Sequence, residues 1–379
     1  MNRLACLDPE EMRREALAGA GADGKKRKRQ RVWGGLAGAA IGIGLSALAP
    51  SLPSDAPVYL LRAVAGYFLA VIAHEAGHAV AARIARFRIV AFGVWPVSAY
   101  REAASWRFVR LGRGGHAGYV ATYPIGIENL RRRFTLTVAG GPLASAVTAV
   151  ACVMAAVNWG SRGGVSLVWL TGFWSALAAA AGVLPIRGRH AVSDGMRLRI
   201  LRRGGAEADR VTALQLVSAG SMGGLRPRDW DAGLLAMGIT PDDGSPDAIS
   251  GHALRYNWLL DSGSVNEAEE ELVWLLSRPL PDAVRGTWEF VAAWFSAFYR
   301  QDGAAARKWM AAAGPRATRP SRCAQLMAEA ALALVEARWA DTRTLVERAR
   351  EECSRLVDLG MATAIREALD MLEARARQP

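Results

Sequence analysis

The stretch AVAGYFLAVIAHEAGHAVAA, residues 63–82, decides how the rest of the chain is read. It is apolar over about 20 residues, enough to cross a bilayer as one helix. Near its C-terminal end it carries His74, Glu75 and His78. Ionisable groups are costly in lipid, and inside a span they mark a functional site by default. On an α-helix, positions i and i+4 share one face, so His74 and His78 can converge on one metal ion at Zn–N distances of roughly 2.0–2.1 Å. Glu75 projects to a neighbouring angle, from which it can take a proton from a water at that ion. This is the H-E-x-x-H pattern of zinc peptidases. Histidines at this spacing also bridge helices by hydrogen bonds. The apolar setting, with Ala76 and Gly77 leaving room beside them, favours the metal.

The composition agrees with a membrane setting. The 379 residues suit two structural units, and 51% are hydrophobic, with 13 Trp. A net charge of +12 would suit nucleic acid, but the basic residues cluster beside apolar runs, and a membrane surface accounts for them. No nucleic-acid-binding signature is present, so that partner class is excluded. Cys6, Cys152, Cys323 and Cys353 are scattered and form no C-x-x-C pair, which fits a reducing compartment.

Working outward, residues 1–32 form a charged leader that ends in KKRKRQR, residues 25–31. Residues 33–49 are a short apolar span ended by Pro50. Ala47-Leu48-Ala49 resembles a signal-peptide cleavage site, but the long leader and the later spans favour a retained helix. Lys and Arg stay in the cytoplasm, which places the leader inside and residues 57–82 as the second span, running inward to Arg83, Arg86 and Arg88. Residues 88–133 then read as an Arg-rich cytoplasmic connection. Within it RIVAFGVWPVSAY (88–100) and HAGYVATYPI (116–125) are β-prone, and His116 is expected to be a surface or structural histidine. The third span is 134–157, where Gly140-Gly141-Pro142 loosens the helix or lets a neighbour approach closely. The fourth is 165–186, ending in Leu184-Pro185 before a further Arg cluster. Asp194-Gly195 follows eight residues after this span. Its carboxylate can return to the membrane face as a third metal ligand, and Asp-Gly is also a turn signal.

Three motifs together carry a resemblance: His74-Glu75-Ala76-Gly77-His78, Ala139-Gly140-Gly141-Pro142-Leu143, and Pro185 followed by Ser193-Asp194-Gly195-Met196-Arg197-Leu198. In this order, over about residues 57–200, the chain resembles the site-2 protease family of intramembrane zinc metalloproteases. The resemblance implies one Zn²⁺ per chain held by His74, His78 and Asp194. It implies Glu75 as the catalytic base, and Gly140, Gly141, Pro142 and Pro185 near the substrate. The chain departs from the family pattern at Gly182, where the family usually has Asn three residues before the proline. It departs again at Ser145, where an Asn often follows the Gly-Pro-Leu. No inserted PDZ-like segment is evident.

From about 204 onward there is no further apolar span. Three segments share one shape: 256–276 around Asp261-Ser262-Gly263, 294–313 around Asp302-Gly303, and 331–353 around Trp339-Ala340-Asp341. Their period of roughly 36–40 residues is a little longer than a tetratricopeptide repeat. The expected fold is therefore mainly α. It comprises a leader (1–32), a polytopic bundle of about four spans (33–203) and a cytoplasmic, repeat-like α-solenoid (204–379), with both termini cytoplasmic. The expected function is hydrolysis of a peptide bond in or near the membrane span of a protein or peptide substrate, in regulated proteolysis and signalling. The partners are the lipid bilayer and a cytoplasmic protein or peptide for the tail. Two rivals stand beside this: an inactive relative serving as a membrane-anchored scaffold, and a peptidase that matures small signal peptides.

Overall fold

A computed structural model of the chain describes residues 2–19, 56–102, 105–110, 117–126, 128–158, 166–187, 192–242, 244–317, 321–356 and 358–377. The expected span at 33–49 and His116 lie outside the described residues. The chain divides into two compact units, one of residues 22–101 and 105–204, the other of residues 1–21, 102–104 and 205–379. The first helix, α1 (Pro9–Gly19), belongs to the second of these.

The 22–204 unit opens with α2 (Ala56–Ile84), which carries the His-Glu-x-x-His pattern. A sheet of β1 (Phe87–Val94), β2 (Val97–Glu102), β3 (Ser105–Arg110) and β4 (Gly118–Pro124) follows, and then α3 (Leu130–Asn158), α4 (Leu167–Val183) and α5 (Asp194–Arg203). Among the described residues, Pro57–Ile84 and Leu130–Asn158 are long and apolar enough to cross a membrane. Only 11% and 33% of their most apolar windows are buried, whereas the core helix of a water-soluble protein is mostly buried. Leu60, Leu61 and Val80 of α2 and Leu143, Val147, Val150 and Val157 of α3 all face outward. Such a surface suits lipid. The apolar α4 is 17 residues, shorter than the expected 165–186, and reaches about 26 Å of a hydrocarbon core about 30 Å thick.

Small residues set how closely these helices approach. A Cβ on Gly77 would stand 2.4 Å from the Gly140 carbonyl oxygen, and one on Gly140 would stand 2.4 Å from that of Gly77. Backbone therefore rests on backbone where α2 crosses α3. α3 runs on through Pro142, so Gly140-Gly141-Pro142 is a packing surface inside one continuous helix.

The sheet runs β3-β2-β1-β4, with β1 antiparallel to both β2 and β4. The two β-prone stretches supply β1, β2 and β4, while β3 was not expected. One arginine joins the sheet to the spans. Arg133 donates from its guanidinium to the carbonyls of Ala85 and Arg86 (both 2.7 Å), Ile125 (2.8 Å), Gly126 (3.0 Å) and Glu128 (3.1 Å). It thereby satisfies carbonyls that the end of α2 leaves open.

The second unit is built of α6 (Ala206–Met222), α7 (Ala232–Gly238), α8 (Pro246–Asp261), α9 (Val265–Leu276), α10 (Asp282–Phe298), α11 (Gly303–Ala313), α12 (Arg322–Val335), α13 (Trp339–Cys353) and α14 (Leu359–Arg377). Three helix pairs, α8/α9, α10/α11 and α12/α13, fall on the three similar sequence segments. Each pair turns through one residue of positive φ: Gly263 (85°), Gln301 (53°) and Ala337 (57°). Apolar residues at helical spacing, such as Trp294 and Phe298 of α10, close one core with Leu272, Trp309, Leu326 and Leu369. Leu4 and Met12 join that core. Residues 2–19 thus pack with the tail instead of standing apart as a leader, because their apolar positions are buried against it.

Candidate metal centre

His74 and His78 sit one turn apart on α2, and Asp194 is the first residue of α5. Ser193 places Asp194. Its side chain accepts from the Met196 N–H (3.2 Å) as helix cap and from the Ile186 N–H (2.9 Å), and it donates to the Leu184 carbonyl (2.5 Å). Asp194 Oδ2 lies 3.1 Å from His74 Nε2 and 3.3 Å from His78 Nε2. The ligand atoms of the three residues all fall within 4.8 Å of one another. Burial pushes the Asp194 carboxyl upward, and its contacts with His74 and His78 more than cancel that, lowering it to about 2. The carboxylate is therefore ionised, as a ligand must be.

The far ring nitrogens are also engaged. His74 Nδ1 meets Ser145 Oγ at 2.8 Å, and His78 Nδ1 meets the Thr137 carbonyl at 3.0 Å. A carbonyl only accepts, so His78 carries its proton on Nδ1; the Gly141 N–H, 3.3 Å from the same nitrogen, is the longer contact. That leaves Nε2 of His78 as the ring atom turned toward Asp194, the atom that would bind a cation. Two imidazoles and a carboxylate are a zinc donor set, and fixing each ring through its other nitrogen is the support such ligands use. The residues fit the ion.

Glu75 is 8% exposed and shares a cleft of about 380 Å³ with His74, His78 and Asp194. The cleft is also lined by Tyr119 and Val120 of β4, Phe134 and Thr137 of α3, and Gly182 of α4. Gly118 backs onto Glu75, where a Cβ would stand 2.7 Å from Oε1. Gly141 lies against the His78 ring, with a Cβ there only 2.2 Å from Nε2. A Cβ on Gly182 would stand 3.0 Å from Pro142 Cγ and 3.5 Å from His74 Cε1. The structure therefore brings together His74, Glu75, His78 and Asp194, with Gly141 under one ring. Gly140 packs on Gly77, Pro142 meets Gly182, and Pro185 lines a separate surface with Leu198 and Arg199. Sequence reasoning noted Ser145 as a departure and missed it as the partner of His74. It also missed Thr137. Their positions on the buried face of α3 were the available signal, since Ser145 is fully buried and Thr137 is 6% exposed.

Residues 63–365 match the family model described as Peptidase family M50. No curated protein and no solved structure matches the chain.

Proposed function

The chain belongs to peptidase family M50, the site-2 protease family, and from that premise we propose that it is an intramembrane zinc metalloprotease. It hydrolyses a peptide bond in or near the membrane span of a protein substrate, in regulated proteolysis and signalling. The observation that carries this reading is the meeting of His74, His78 and Asp194, drawn from helices 120 residues apart, with Glu75 beside them.

His74 and His78, through Nε2, and Asp194, through its carboxylate, would hold one zinc ion per chain. When bound, it supplies Lewis acidity toward the scissile carbonyl and lowers the pKa of the attacking water toward about 7. Glu75 takes the water's proton on its carboxylate and hands it to the leaving amine nitrogen. Ser145 and the Thr137 carbonyl keep the rings turned so that both Nε2 atoms face Asp194.

A substrate span holds its own carbonyls in helical hydrogen bonds, so it must unwind and be held extended. The outer edge of β4 supports strand addition at this point. No described strand pairs with that edge, and Gly118–Val120 line the cleft. The interior strands β1 and β2 have neighbours on both sides, and of the edge strands β3 and β4 it is β4 that lines the cleft, so docking within 88–123 narrows to β4.

The Arg clusters at 83–88, 131–133 and 197–203 support a multi-pass protein of the cell membrane with both ends in the cytoplasm. Its spans are then about 33–49, 57–82, 134–157 and 165–186, and its tail is free to bind a cytoplasmic protein or peptide that regulates it or recruits substrate.

Zinc content of the detergent-purified chain tests the reading. Wild type and Glu75→Gln retain about one zinc per chain, and Asp194→Ala loses it. Cleavage in the Glu75→Gln variant falls by about 10²–10⁴-fold. Wild type without zinc, purified in the absence of chelator, overturns the protease reading and leaves the scaffold one. Loss of a released small peptide in Glu75→Gln cells, in place of an anchored regulator fragment, points to signal-peptide maturation.

A further inference from the structure

Residues 2–16 lie in the helical unit as a bound peptide lies in its receptor. Leu4 is fully buried, and Met12 and Ala16 are 8% and 7% exposed. Both backbone groups of Leu4 are read by buried side chains. Its N–H donates to Glu269 Oε1 of α9 at 3.1 Å, and its carbonyl accepts from Trp309 Nε1 of α11 at 3.2 Å. Glu269 is 1% exposed and Trp309 is fully buried. Arg300 neutralises Glu269 at 2.6 Å. Around this centre, Lys308 donates to the Leu7 carbonyl, and Asn2, Arg3, Glu10 and Arg13 pair with Asp302, Glu270, Arg316 and Asp282. The exposed pairs set register and add little energy. Glu269 keeps Oε1 for the Leu4 N–H while Oε2 pairs with Arg300, and Trp309 gives its Nε1–H to the Leu4 carbonyl.

We propose that α9 and α11 form a peptide-binding site whose ligand is this chain's own segment 2–16. The clasp holds both ends of the 22–204 unit to one body on one side of the bilayer. The consequence rests on the membrane reading above. If residues 19 and 205 lie on the same side, the chain between them crosses the membrane an even number of times. Helices α2, α3 and α4 make three crossings, so the clasp requires a fourth. The apolar run at 33–49 is the stretch of sequence between α1 and α2 that can provide it.

The test uses the full chain in native membranes, with a tag before residue 2 and a specific-protease site inserted at residues 21–24. After cutting, the tagged segment stays bound and still recovers the rest of the chain. Excess synthetic peptide 2–19 displaces it, and Leu4→Asp reduces recovery by at least about ten-fold. Cys6, which is exposed, reacts with an impermeant maleimide only after the cells are permeabilised. If the cut wild-type segment washes away while Cys6 is protected, the clasp falls and the four-span topology stands. If Cys6 is labelled from outside in intact cells, the clasp and the even crossing number both fall.

Discussion

In α3 the buried positions are mostly small or polar, Thr137, Gly140, Gly141, Pro142, Ser145 and Ala149 beside Leu130 and Val138, while Leu143, Val147 and Val150 face out. In α10 the arrangement is reversed, with Phe290, Trp294, Phe295 and Phe298 inside. Both helices are apolar enough to form a core, and the difference lies in the solvent each is built for. Where lipid is outside, apolar side chains gain nothing by turning inward, so helices meet through small residues and hydrogen bonds. That leaves the interior of the 22–204 unit free for polar groups, and the candidate metal centre of His74, His78 and Asp194 occupies it. In the helical unit burial of apolar area drives folding. Even its buried charges are paired within the unit, Arg285 with Glu289 and Glu289 with Arg316.

The largest expected effect is on the apolar core. Phe295→Ala, at a fully buried site, destabilises the helical unit by about 3–5 kcal/mol. Followed by thermal melting, it should leave zinc content unchanged; a matching loss of zinc would mean that the two units are not independently built. Next comes the outward face of α3. Val150→Arg, at a position 63% exposed, costs about 2.5–3.5 kcal/mol of membrane insertion if that face meets lipid. Normal insertion and yield would show that it meets water. Inside the same helix, Gly141→Ala drives a methyl into the His78 ring and should weaken metal binding by about 100-fold in competition with a chelator. Ser145→Ala removes the partner of His74 and should cost about ten-fold by the same assay, with the helices still assembled. If Ser145→Ala instead lowers the melting temperature and spares zinc, its hydrogen bond serves packing alone.

The pairing of His74 with His78 is legible because one turn of helix separates them, and no other part of the fold is needed to see it. The apolar runs of α2 and α3 are legible for the same reason, as are the turns at Gly263 and Asp302. The role of Ser145 is not. It lies 71 residues from His74, and its sequence context reads equally as small-residue packing. β3 carries no strong alternating pattern, and only its place beside β2 makes it a strand. The docking of residues 2–16 was also hidden, since its few buried apolar residues, Leu4, Met12 and Ala16, are set among charged ones.

What the sequence determined by itself is local: which segments are helical, which can lie in lipid, and that two histidines and a glutamate share one end of a span. These follow from backbone periodicity and from the cost of moving charge out of water, and both act within a few turns of chain. What only the tertiary structure decided is which distant groups complete those local beginnings. Asp194 comes to the histidines, Ser145 and Thr137 meet the rings, β4 lines the cleft beside Glu75, and Glu269 and Trp309 receive Leu4. Each depends on contacts between residues tens to hundreds of positions apart. Side-chain pattern along a chain carries no record of such contacts until packing brings the segments together.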